Sequence, residues 1–176
     1  MDLGLKGAKA LVTGGTKGIG RAIVETLAAE GCDVAFCARN ADEVAAATAA
    51  FAAHGTKVIG QVLDVADAAG MAGWVADSAA SLGGIDIVVA NVSALAIPGD
   101  EAGWQSGFAT DMMGTVRFVN AAMPWLEKSD KASIVTIASV SGREIDFAAG
   151  PYGAFKAAIV HYTQGLAHHL AGKGIR

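Results

Sequence analysis

A tyrosine and a lysine stand four positions apart in the segment PYGAFK, residues 151–156. Pro151 fits the first turn of a helix, where its missing N–H costs no hydrogen bond, so the segment predicts a helix start. Residues four apart on a helix are neighbours, and the ammonium of Lys156 can therefore favour the phenolate form of Tyr152. Such a pair can act as an acid–base catalyst, although an isolated pair of this spacing is more often a partly exposed Tyr beside a solvated Lys. The elements around the pair decide between the two interpretations.

The rest of the chain alternates between two kinds of segment. Five apolar runs rich in Val, Ile and Ala are separated by Ala-rich stretches of helical length. This alternation is typical of a doubly wound parallel sheet covered by helices on both faces, so we predict one three-layer α/β domain over residues 1–176. Asn40 and Glu43 predict a capping box at the second helix, with the Glu43 side chain reaching back to Asn40. The predicted strands are 8–12, 34–38, 58–63, 87–90 and 134–138, and the predicted helices are 19–30, 41–54, 67–82, 101–127 and 151–171.

The last residues have the form of a helix stop followed by a new strand. Gly172 and Gly174 in AGKGIR favour the end of a helix, and Ile175 resembles the first residue of a further strand. Five strands alone would leave the fifth with an unpaired edge, which native sheets usually cover or pair. We therefore expect that C-terminal sequence containing the last strands is missing.

Composition and charge argue against several classes of protein. The formal net charge is −4 and the Lys and Arg residues are dispersed, which disfavours a nucleic-acid surface. No apolar run predicts a transmembrane helix and the N-terminus lacks the features of a signal peptide, so we expect a cytoplasmic protein without a membrane partner. Cys32 and Cys37 should lie on opposite faces of the sheet as buried thiols. The four histidines show no metal-ligand spacing, so no metal site is expected.

A glycine-rich segment, TGGTKGIG at residues 13–20, follows the first predicted strand and opens the first predicted helix. A strand, a tight glycine turn and a helix N-terminus together bring backbone N–H groups to a pyrophosphate. The position of the segment between strand and helix makes this interpretation much stronger than a glycine pattern alone. The segment therefore predicts a dinucleotide site, and its expected cofactor contacts are Gly14, Thr16, Lys17, Gly18, Ile19 and Gly20.

The charged residue after the second predicted strand bears on which dinucleotide is bound. Dinucleotide-binding folds normally carry an acid about 20 residues beyond the glycine turn for the ribose 2′-hydroxyl, or an Arg where a 2′-phosphate is bound. The segment FCARN offers Arg39 at this point, and Lys17 adds a second cation. We therefore predict NADP in preference to NAD. The alternative is that both cations are solvated surface residues.

Together these motifs resemble those of the short-chain dehydrogenase/reductase family. The resemblance rests on TGGTKGIG, on Asp64 and Val65 after the third strand, on Asn91 after the fourth, on Ser139 and on YGAFK, and it covers nearly the whole chain. Ser139 precedes Tyr152 by thirteen residues, which is the spacing of the family. The resemblance implies a Rossmann-type sheet and an NADP-dependent oxidoreductase that exchanges a hydride between the cofactor and a carbonyl or secondary alcohol.

The resemblance also implies a role for each side chain. Tyr152 would be the acid–base group that protonates the substrate oxygen, while Lys156 would favour its phenolate form and hold the nicotinamide ribose. Ser139 would donate a hydrogen bond to the substrate oxygen and stabilise the charge that develops there. Its neighbour Ser141 competes for this assignment, and the family's spacing favours Ser139. The remaining implied cofactor contacts are Asp64, for which a helix cap is the alternative, Val65 and Asn91.

Two positions depart from the family pattern. Family members usually read Asn-Asn-Ala-Gly after the fourth strand, whereas this chain reads ANVS at 90–93, so packing against the cofactor should differ there. The family's catalytic Asn, whose backbone carbonyl holds a water linked to the Lys, corresponds to Asp111. An ionised Asp111 would keep Lys156 charged but would oppose a neighbouring phenolate. Because the family Asn acts through its backbone, we expect the relay to survive.

The sequence indicates the type of reaction more closely than it indicates the substrate. Segments 92–98 and 141–150 offer a mainly apolar substrate side, which is compatible with 3-oxoacyl thioesters, steroids, sugars or simple ketones. The resemblance is to members such as 3-oxoacyl-carrier-protein reductases, the commonest role in the family, and it extends to the substrate by analogy alone.

Assembly and catalytic competence follow from the resemblance as expectations. A homodimer or homotetramer is expected through the fourth and fifth predicted helices, where Gly153, Ala157 and Gly165 would allow close approach. Two alternatives stay open beside the enzyme. One is a non-catalytic nucleotide-binding subunit, which Asp111 and the missing strands favour, and the other is a fragment of a longer reductase.

Overall fold

The computed structural model describes residues 3–176, and its elements follow the alternation expected from the sequence. Most boundaries lie within two residues of the predicted ones, the fourth predicted helix being the main exception. One parallel sheet contains β1 Lys9–Thr13, β2 Asp33–Ala38, β3 Val58–Val62, β4 Ile87–Ala90 and β5 Ser133–Thr136. The α-helices in the described residues are α1 Gly18–Ala29, α2 Ala41–Phe51, α3 Ala68–Leu82, α4 Glu101–Gly107, α5 Gly114–Leu126 and α6 Pro151–Leu170.

The strand order creates a crevice beside β1. The order is β3-β2-β1-β4-β5, and every neighbouring pair is parallel. The chain builds outward from β1 to β3, then crosses back to add β4 on the other side of β1. At such a switch point the connections leave the sheet on opposite faces and open a crevice beyond the carboxyl ends of the strands. The glycine-rich segment after β1 and Asn91 after β4 meet there.

Each face of the sheet buries its own apolar core. Leu11 and Cys37 belong to the core that α3 and α5 cover, whereas Val12 and Cys32 belong to the core under α1 and α2. The two cysteines are free and buried on opposite faces, as the sequence predicts. Burial raises the pKa of Cys32 to about 11 and that of Cys37 to about 12. Both thiols therefore stay protonated and unreactive at neutral pH.

The fourth predicted helix is three segments rather than one. A π-helical segment, Phe108–Met113, separates α4 from α5. Such a turn changes which side chains face inward, and it occurs frequently at functional sites. Here it carries Asp111, which is 1% exposed, and the Thr115 hydroxyl donates a 2.7 Å hydrogen bond to the Asp111 carbonyl. The prediction of one α-helix over 101–127 is wrong, because apolar spacing cannot reveal a local π turn.

The C-terminal residues make backbone hydrogen bonds along β5. The Ile134 amide donates to the Arg176 carbonyl at 2.8 Å, and the Arg176 amide donates to the Ala132 carbonyl at 3.1 Å. This is the slanted pattern of a parallel neighbour. Ile175 is 3% exposed, and the further strand expected from this residue stays a prediction. Within residues 3–176, no helix combines the length and apolarity needed to cross a bilayer.

Candidate active site

A cavity of about 690 Å³ lies beyond the carboxyl ends of β1, β2 and β4. Its wall begins at the glycine-rich segment, passes the ends of β2 and β4, and reaches the first turns of α6. Three of the predicted site residues, Gly18, Ser139 and Asp111, stand outside this wall. The predicted residues that line the cavity are Gly14, Thr16, Lys17, Ile19, Gly20, Arg39, Asp64, Val65, Asn91, Tyr152 and Lys156.

The glycine-rich segment is packed so closely that it leaves no room for a Cβ at Gly14, Gly15 or Gly20. Gly14 has a φ of +74°, in the left-handed region that favours glycine, and a Cβ there would lie 2.9 Å from Val92 Cγ2. A Cβ on Gly20 would collide with the Gly14 carbonyl oxygen. At Gly18, in contrast, a Cβ would meet no heavy atom of the described residues within 4 Å. The loop is therefore compact on its protein side and open at Gly18.

The N-terminus of α1 presents free backbone donors to the cavity. Lys17 precedes the helix in extended conformation without a side-chain cap, and the first turn contains no acidic residue. The first amides of a helix have no partner within it and lie at the positive end of its dipole. Because Lys17, Ile19 and Gly20 line the cavity, these donors suit the pyrophosphate of a dinucleotide.

Asn91 joins the loop after β1 to the end of β4. Its side-chain amide donates to the carbonyl oxygens of Thr13 and Gly14 at 3.0 and 3.3 Å. Its backbone amide donates to the Thr13 hydroxyl at 3.0 Å. Val92 packs beside Gly14, and the contact of Asn91 with a cofactor stays a prediction.

Charged side chains surround the cavity at the end of β2. Arg39 is exposed and makes no hydrogen bond or ion pair with another residue between 3 and 176. The Lys17 ammonium lies 2.6 Å from Glu43 Oε1, and the Thr16 hydroxyl donates to Glu43 Oε2 at 3.2 Å.

Asn40 caps α2 by accepting from the Glu43 amide at 3.0 Å, as predicted. The second half of the capping box is wrong, because the Glu43 side chain binds the glycine-rich segment instead.

Asp64 and Val65 lie in the wall beyond β3. The exposed Asp64 carboxylate accepts from the Ala66 amide at 2.9 Å, whereas Asp67 is the residue that caps α3. The alternative of a helix cap at Asp64 is therefore wrong, and its contact with the adenine stays a prediction. Val65 is buried, and a Cβ on Gly114 would lie 3.1 Å from Val65 Cγ2.

Tyr152 and Lys156 lie on one face of the first turns of α6, as their spacing predicts. Lys156 Nζ is 5.7 Å from the centroid of the Tyr152 ring and donates a 2.7 Å hydrogen bond to the Ile137 carbonyl. The half-buried Tyr152 lines the cavity, and its hydroxyl has no hydrogen-bond partner among residues 3–176. Burial lowers the pKa of Lys156, and the Asp111 carboxylate acts in the opposite direction. The arrangement holds a buried cation beside a phenol that is open to the cavity.

Asp111 is buried against Lys156. Its Oδ1 lies 3.8 Å from Lys156 Nζ and has no hydrogen-bond partner among the described residues. Its Oδ2 accepts a 2.8 Å hydrogen bond from the Ala94 amide. The Asp111 carbonyl, which the family pattern would use for the water relay, accepts from the Thr115 hydroxyl. The side chain of Asp111 is therefore at ion-pair distance from the lysine, and the relay through its backbone stays a prediction.

Ser139 stands just past β5, where a short 3₁₀ turn, Val140–Gly142, begins. Its hydroxyl accepts from the Ser141 amide at 3.2 Å and donates to the Ser141 hydroxyl at 3.3 Å. The Ser141 hydroxyl donates in turn to Asp146 Oδ2 at 2.6 Å. The structure thus separates the two serines, since the Ser141 hydroxyl donates to a carboxylate, whereas the Ser139 hydroxyl donates only over 3.3 Å.

The histidines lie apart from this site. None of the four lines the cavity. Across residues 3–176, no group of three His, Cys, Asp or Glu side chains is placed to hold a metal ion.

An α/β domain with a dinucleotide crevice and a Tyr–Lys pair is the arrangement of a nicotinamide-dependent oxidoreductase. The sequence matches the family model described as short chain dehydrogenase over residues 8–176. Isoepoxydon dehydrogenase patN of Penicillium expansum is 41% identical over 183 residues, which cover 100% of this chain and 70% of that protein. The 2-dehydro-3-deoxy-L-rhamnonate dehydrogenase (NAD(+)) of a Sphingomonas species is 34% identical over 174 residues, covering 96% and 68%. This chain belongs to the short-chain dehydrogenase/reductase family.

Solved structures agree with this assignment. A short-chain dehydrogenase from Burkholderia cenocepacia in complex with NADP superimposes with a TM-score of 0.90 at 33% identity, covering 97% of this chain and 71% of that chain. A 3-ketoacyl-ACP reductase from Sinorhizobium meliloti superimposes with a TM-score of 0.90 at 32% identity, covering 96% and 69%. The predicted family and the Rossmann-type sheet are both confirmed.

Proposed function

We propose that this protein is an NADP-dependent reductase or dehydrogenase that exchanges a hydride between NADP(H) and a carbonyl or secondary-alcohol substrate. The observation that carries the proposal is the cavity that joins the glycine-rich segment to Tyr152 and Lys156. One crevice thereby offers helix-terminal donors suited to a pyrophosphate and an acid–base pair suited to a substrate oxygen.

The cofactor contacts follow from the wall of this cavity. The open backbone at Gly18 and the uncapped amides of α1 would bind the pyrophosphate. Asn91 would fix the loop that carries them, and Asp64 and Val65 would contact the adenine. When bound, the nicotinamide supplies or accepts the hydride.

Tyr152 and Lys156 on α6 would carry out the acid–base catalysis. The Tyr152 hydroxyl would give its proton to the substrate oxygen in reduction and take it back in oxidation. The Lys156 ammonium would favour the phenolate between these steps and bind the nicotinamide ribose. Ser139 would donate a hydrogen bond to the same substrate oxygen. Asp111 would keep Lys156 protonated despite its burial.

The preference for NADP over NAD is the finer part of the proposal. Arg39 follows β2 without a partner among the described residues, and Lys17 lines the same cavity. A free cation at this point suits a 2′-phosphate better than a 2′-hydroxyl, and Arg39 is the one that is not paired with Glu43. The Burkholderia structure is a complex with NADP, whereas the Sphingomonas relative is named as an NAD(+) enzyme. Cofactor choice therefore varies among relatives, and the local charges of this chain favour NADP.

The substrate side supports a carbonyl or alcohol carried on a mainly apolar body. Leu95 is 64% exposed, Ile145 92% and Phe147 87%, and all three lie in the loops after β4 and β5. Of the three, Leu95 lines the cavity, and small-molecule sites are lined mainly by apolar side chains around a few polar groups. The names of the relatives range from isoepoxydon dehydrogenase to 3-ketoacyl-ACP reductase, which fits a substrate class as broad as carbonyls and secondary alcohols.

Assembly as a homodimer or homotetramer belongs to the same proposal, because family members typically oligomerise. The helices that follow β4 and β5 carry exposed aromatic side chains at Trp104 and Phe108, and Ala157 is exposed as well. Gly153 does not serve the close approach expected of it, since a Cβ there would lie 2.9 Å from the Ala148 carbonyl of the same chain. Gly165 stays open, with no heavy atom of the described residues within 4 Å of a Cβ. The cytoplasmic location also stays a prediction.

Calorimetric titration of the chain with NADPH and, separately, with NADH tests the proposal first. Binding of NADPH in preference to NADH, followed by oxidation of NADPH with a set of ketones and aldehydes, is the expected result. Binding of NADH alone would refute the predicted cofactor. Binding without turnover on any carbonyl or alcohol would favour the non-catalytic nucleotide-binding subunit, and binding of neither dinucleotide would refute the dinucleotide site in this chain.

A further inference from the structure

Glu43 places an acidic side chain beside the two cations that would bind a 2′-phosphate. It stands in the first turn of α2, and Thr16, Lys17 and Arg39 line the same cavity. Glu43 Oε1 lies 2.6 Å from Lys17 Nζ, and Oε2 accepts from the Thr16 hydroxyl at 3.2 Å. Both oxygens of the carboxylate are thus bound to the glycine-rich segment rather than to α2.

The two cations are consequently not equivalent. The Lys17 side chain is 75% exposed, and its ion pair in the described part of the chain is with Glu43. The hydrogen bond from Lys17 lowers the pKa of Glu43, so this carboxylate is ionised at neutral pH. Arg39 has no such partner among residues 3–176. One cation is therefore free for a ligand, and the other is already neutralised.

A ribose 2′-phosphate and a ribose 2′-hydroxyl interact oppositely with a carboxylate. A phosphate monoester carries a charge of about −1.5 to −2 at pH 7 and is repelled. A hydroxyl can donate a hydrogen bond to the same oxygen. Resting on the function proposed above, we infer that Glu43 sets the balance between the two dinucleotides. It weakens binding of NADPH by occupying Lys17, and it supports binding of NADH by accepting from the ribose.

Glu43→Gln removes the charge and preserves the local structure. The Asn40 cap of α2 uses the backbone amide of residue 43, which the substitution leaves in place. Glu30→Gln is the matched control, because it changes the net charge equally and follows the last residue of α1. A helix of twelve residues is roughly 18 Å long, so this control lies far from the first turn that faces the cavity.

Dissociation constants for NADPH and NADH, and for adenosine 2′,5′-bisphosphate and 5′-AMP, would be measured by calorimetry on the wild type and both variants. The two adenosine nucleotides isolate this end of the cavity from the nicotinamide end. Glu43→Gln is expected to bind NADPH and the bisphosphate about three- to fivefold more tightly, the effect of one partly exposed ion pair. NADH and 5′-AMP should bind equally or more weakly, and Glu30→Gln should resemble the wild type. In a Lys17→Gln background, the gain from Glu43→Gln should shrink.

Different outcomes separate this inference from the function on which it rests. If the wild type binds dinucleotides but Glu43→Gln leaves the NADPH affinity unchanged, or tightens both dinucleotides alike, the role of Glu43 is refuted and the proposed function stands. If the wild type binds neither dinucleotide, the proposed function fails and the role of Glu43 fails with it.

Discussion

Lys156 Nζ and Asp111 Oδ1 lie 3.8 Å apart, with the lysine side chain 3% exposed and the aspartate side chain 2% exposed. Burial alone would favour a neutral lysine, and it is the main cause of the lowered Lys156 pKa. The carboxylate opposes this effect. The Ala94 amide fixes the other carboxylate oxygen, so the pair also joins the loop after β4 to α6. Family members normally carry Asn at position 111. In this chain the Asp111 side chain stabilises the positive charge of Lys156 instead.

Asp111→Asn should move the alkaline limb of the kcat/KM profile to lower pH. The substitution removes the carboxylate that raises the Lys156 pKa, so the lysine loses its proton at a lower pH than in the wild type. A deprotonated lysine no longer favours the phenolate of Tyr152, and activity falls. The measurement is kcat/KM for a responsive carbonyl substrate between pH 6 and about 10.5, where a free lysine titrates.

Two observations would contradict this account of Asp111. One is an unshifted alkaline limb, and the other is a greatly improved turnover, which would mean that the carboxylate opposes catalysis. Asp77→Asn, on the exposed face of α3, is the matched control and should leave the profile unchanged.

The stability of the protein should depend on pH through the same pair. The folded-state pKa of Lys156 lies below its value of 10.5 in an unfolded chain, so the folded state releases this proton first. The unfolded state then binds more protons, and the contribution of Lys156 to the free energy of unfolding rises with pH between the two pKa values. In Asp111→Asn this rise should begin at lower pH. Urea denaturation of both proteins across the alkaline range measures it, and identical pH dependences would count against the coupling.

Tyr152→Phe should abolish most activity while preserving cofactor binding. The substitution removes the hydroxyl, which makes no hydrogen bond within residues 3–176, and retains the ring beside Lys156. Loss of a positioned acid–base group typically costs about 10²–10⁴-fold in rate. Tyr162→Phe is the matched control, because the second tyrosine of the chain lies on the same helix outside the cavity wall. Comparable turnover in the two variants would remove Tyr152 from the catalytic assignment.

Much of this architecture could be predicted from the sequence, because the signals are local. Each buried parallel strand reads as a short apolar run, and each intervening helix reads as an Ala-rich stretch between turn residues. The Tyr–Lys pair depends only on helical spacing. The π-helical segment Phe108–Met113 gave no comparable signal, since its inward-facing Asp111 contacts Ala94 and Lys156 from other elements.

The interactions that the sequence did not predict are side-chain contacts for which several partners were available, including partners far away in the sequence. Glu43 looked like half of a capping box, yet its carboxylate binds Thr16, 27 residues away, and Lys17. Asp146 lies in the segment 141–150, which was expected to offer a mainly apolar substrate side, yet its carboxylate accepts a hydrogen bond from the Ser141 hydroxyl. Local sequence propensity does not predict such contacts, because only the folding of the whole domain brings the groups together.

Gly14→Ala should destabilise the domain and prevent dinucleotide binding. Gly14 has a positive φ, which costs other residues about 1–2 kcal/mol, and its Cβ would crowd Val92 and Asn91, which typically costs a further ~1–3 kcal/mol. Gly73→Ala is the control, since this exposed glycine in α3 has open space and should gain about 1 kcal/mol from helix propensity. Urea denaturation and NADPH titration of the two variants provide the comparison. A Gly14→Ala variant as stable as the wild type would show that the loop can relax.

Ser139→Ala and Ser141→Ala should separate the two candidate hydroxyls of the loop after β5. The Ser141 hydroxyl donates to the Asp146 carboxylate at 2.6 Å, a charge-assisted bond that keeps its proton away from a substrate. The Ser139 hydroxyl donates only at 3.3 Å, so it can turn toward a substrate oxygen at little cost. Ser139→Ala should therefore lower kcat by about 10²–10³-fold, the effect of losing one donor to a developing oxyanion. Ser141→Ala should mainly lower stability, because it leaves Asp146 without this donor. The assignment reverses if Ser141→Ala suffers the larger loss of kcat while both variants denature at the same urea concentration.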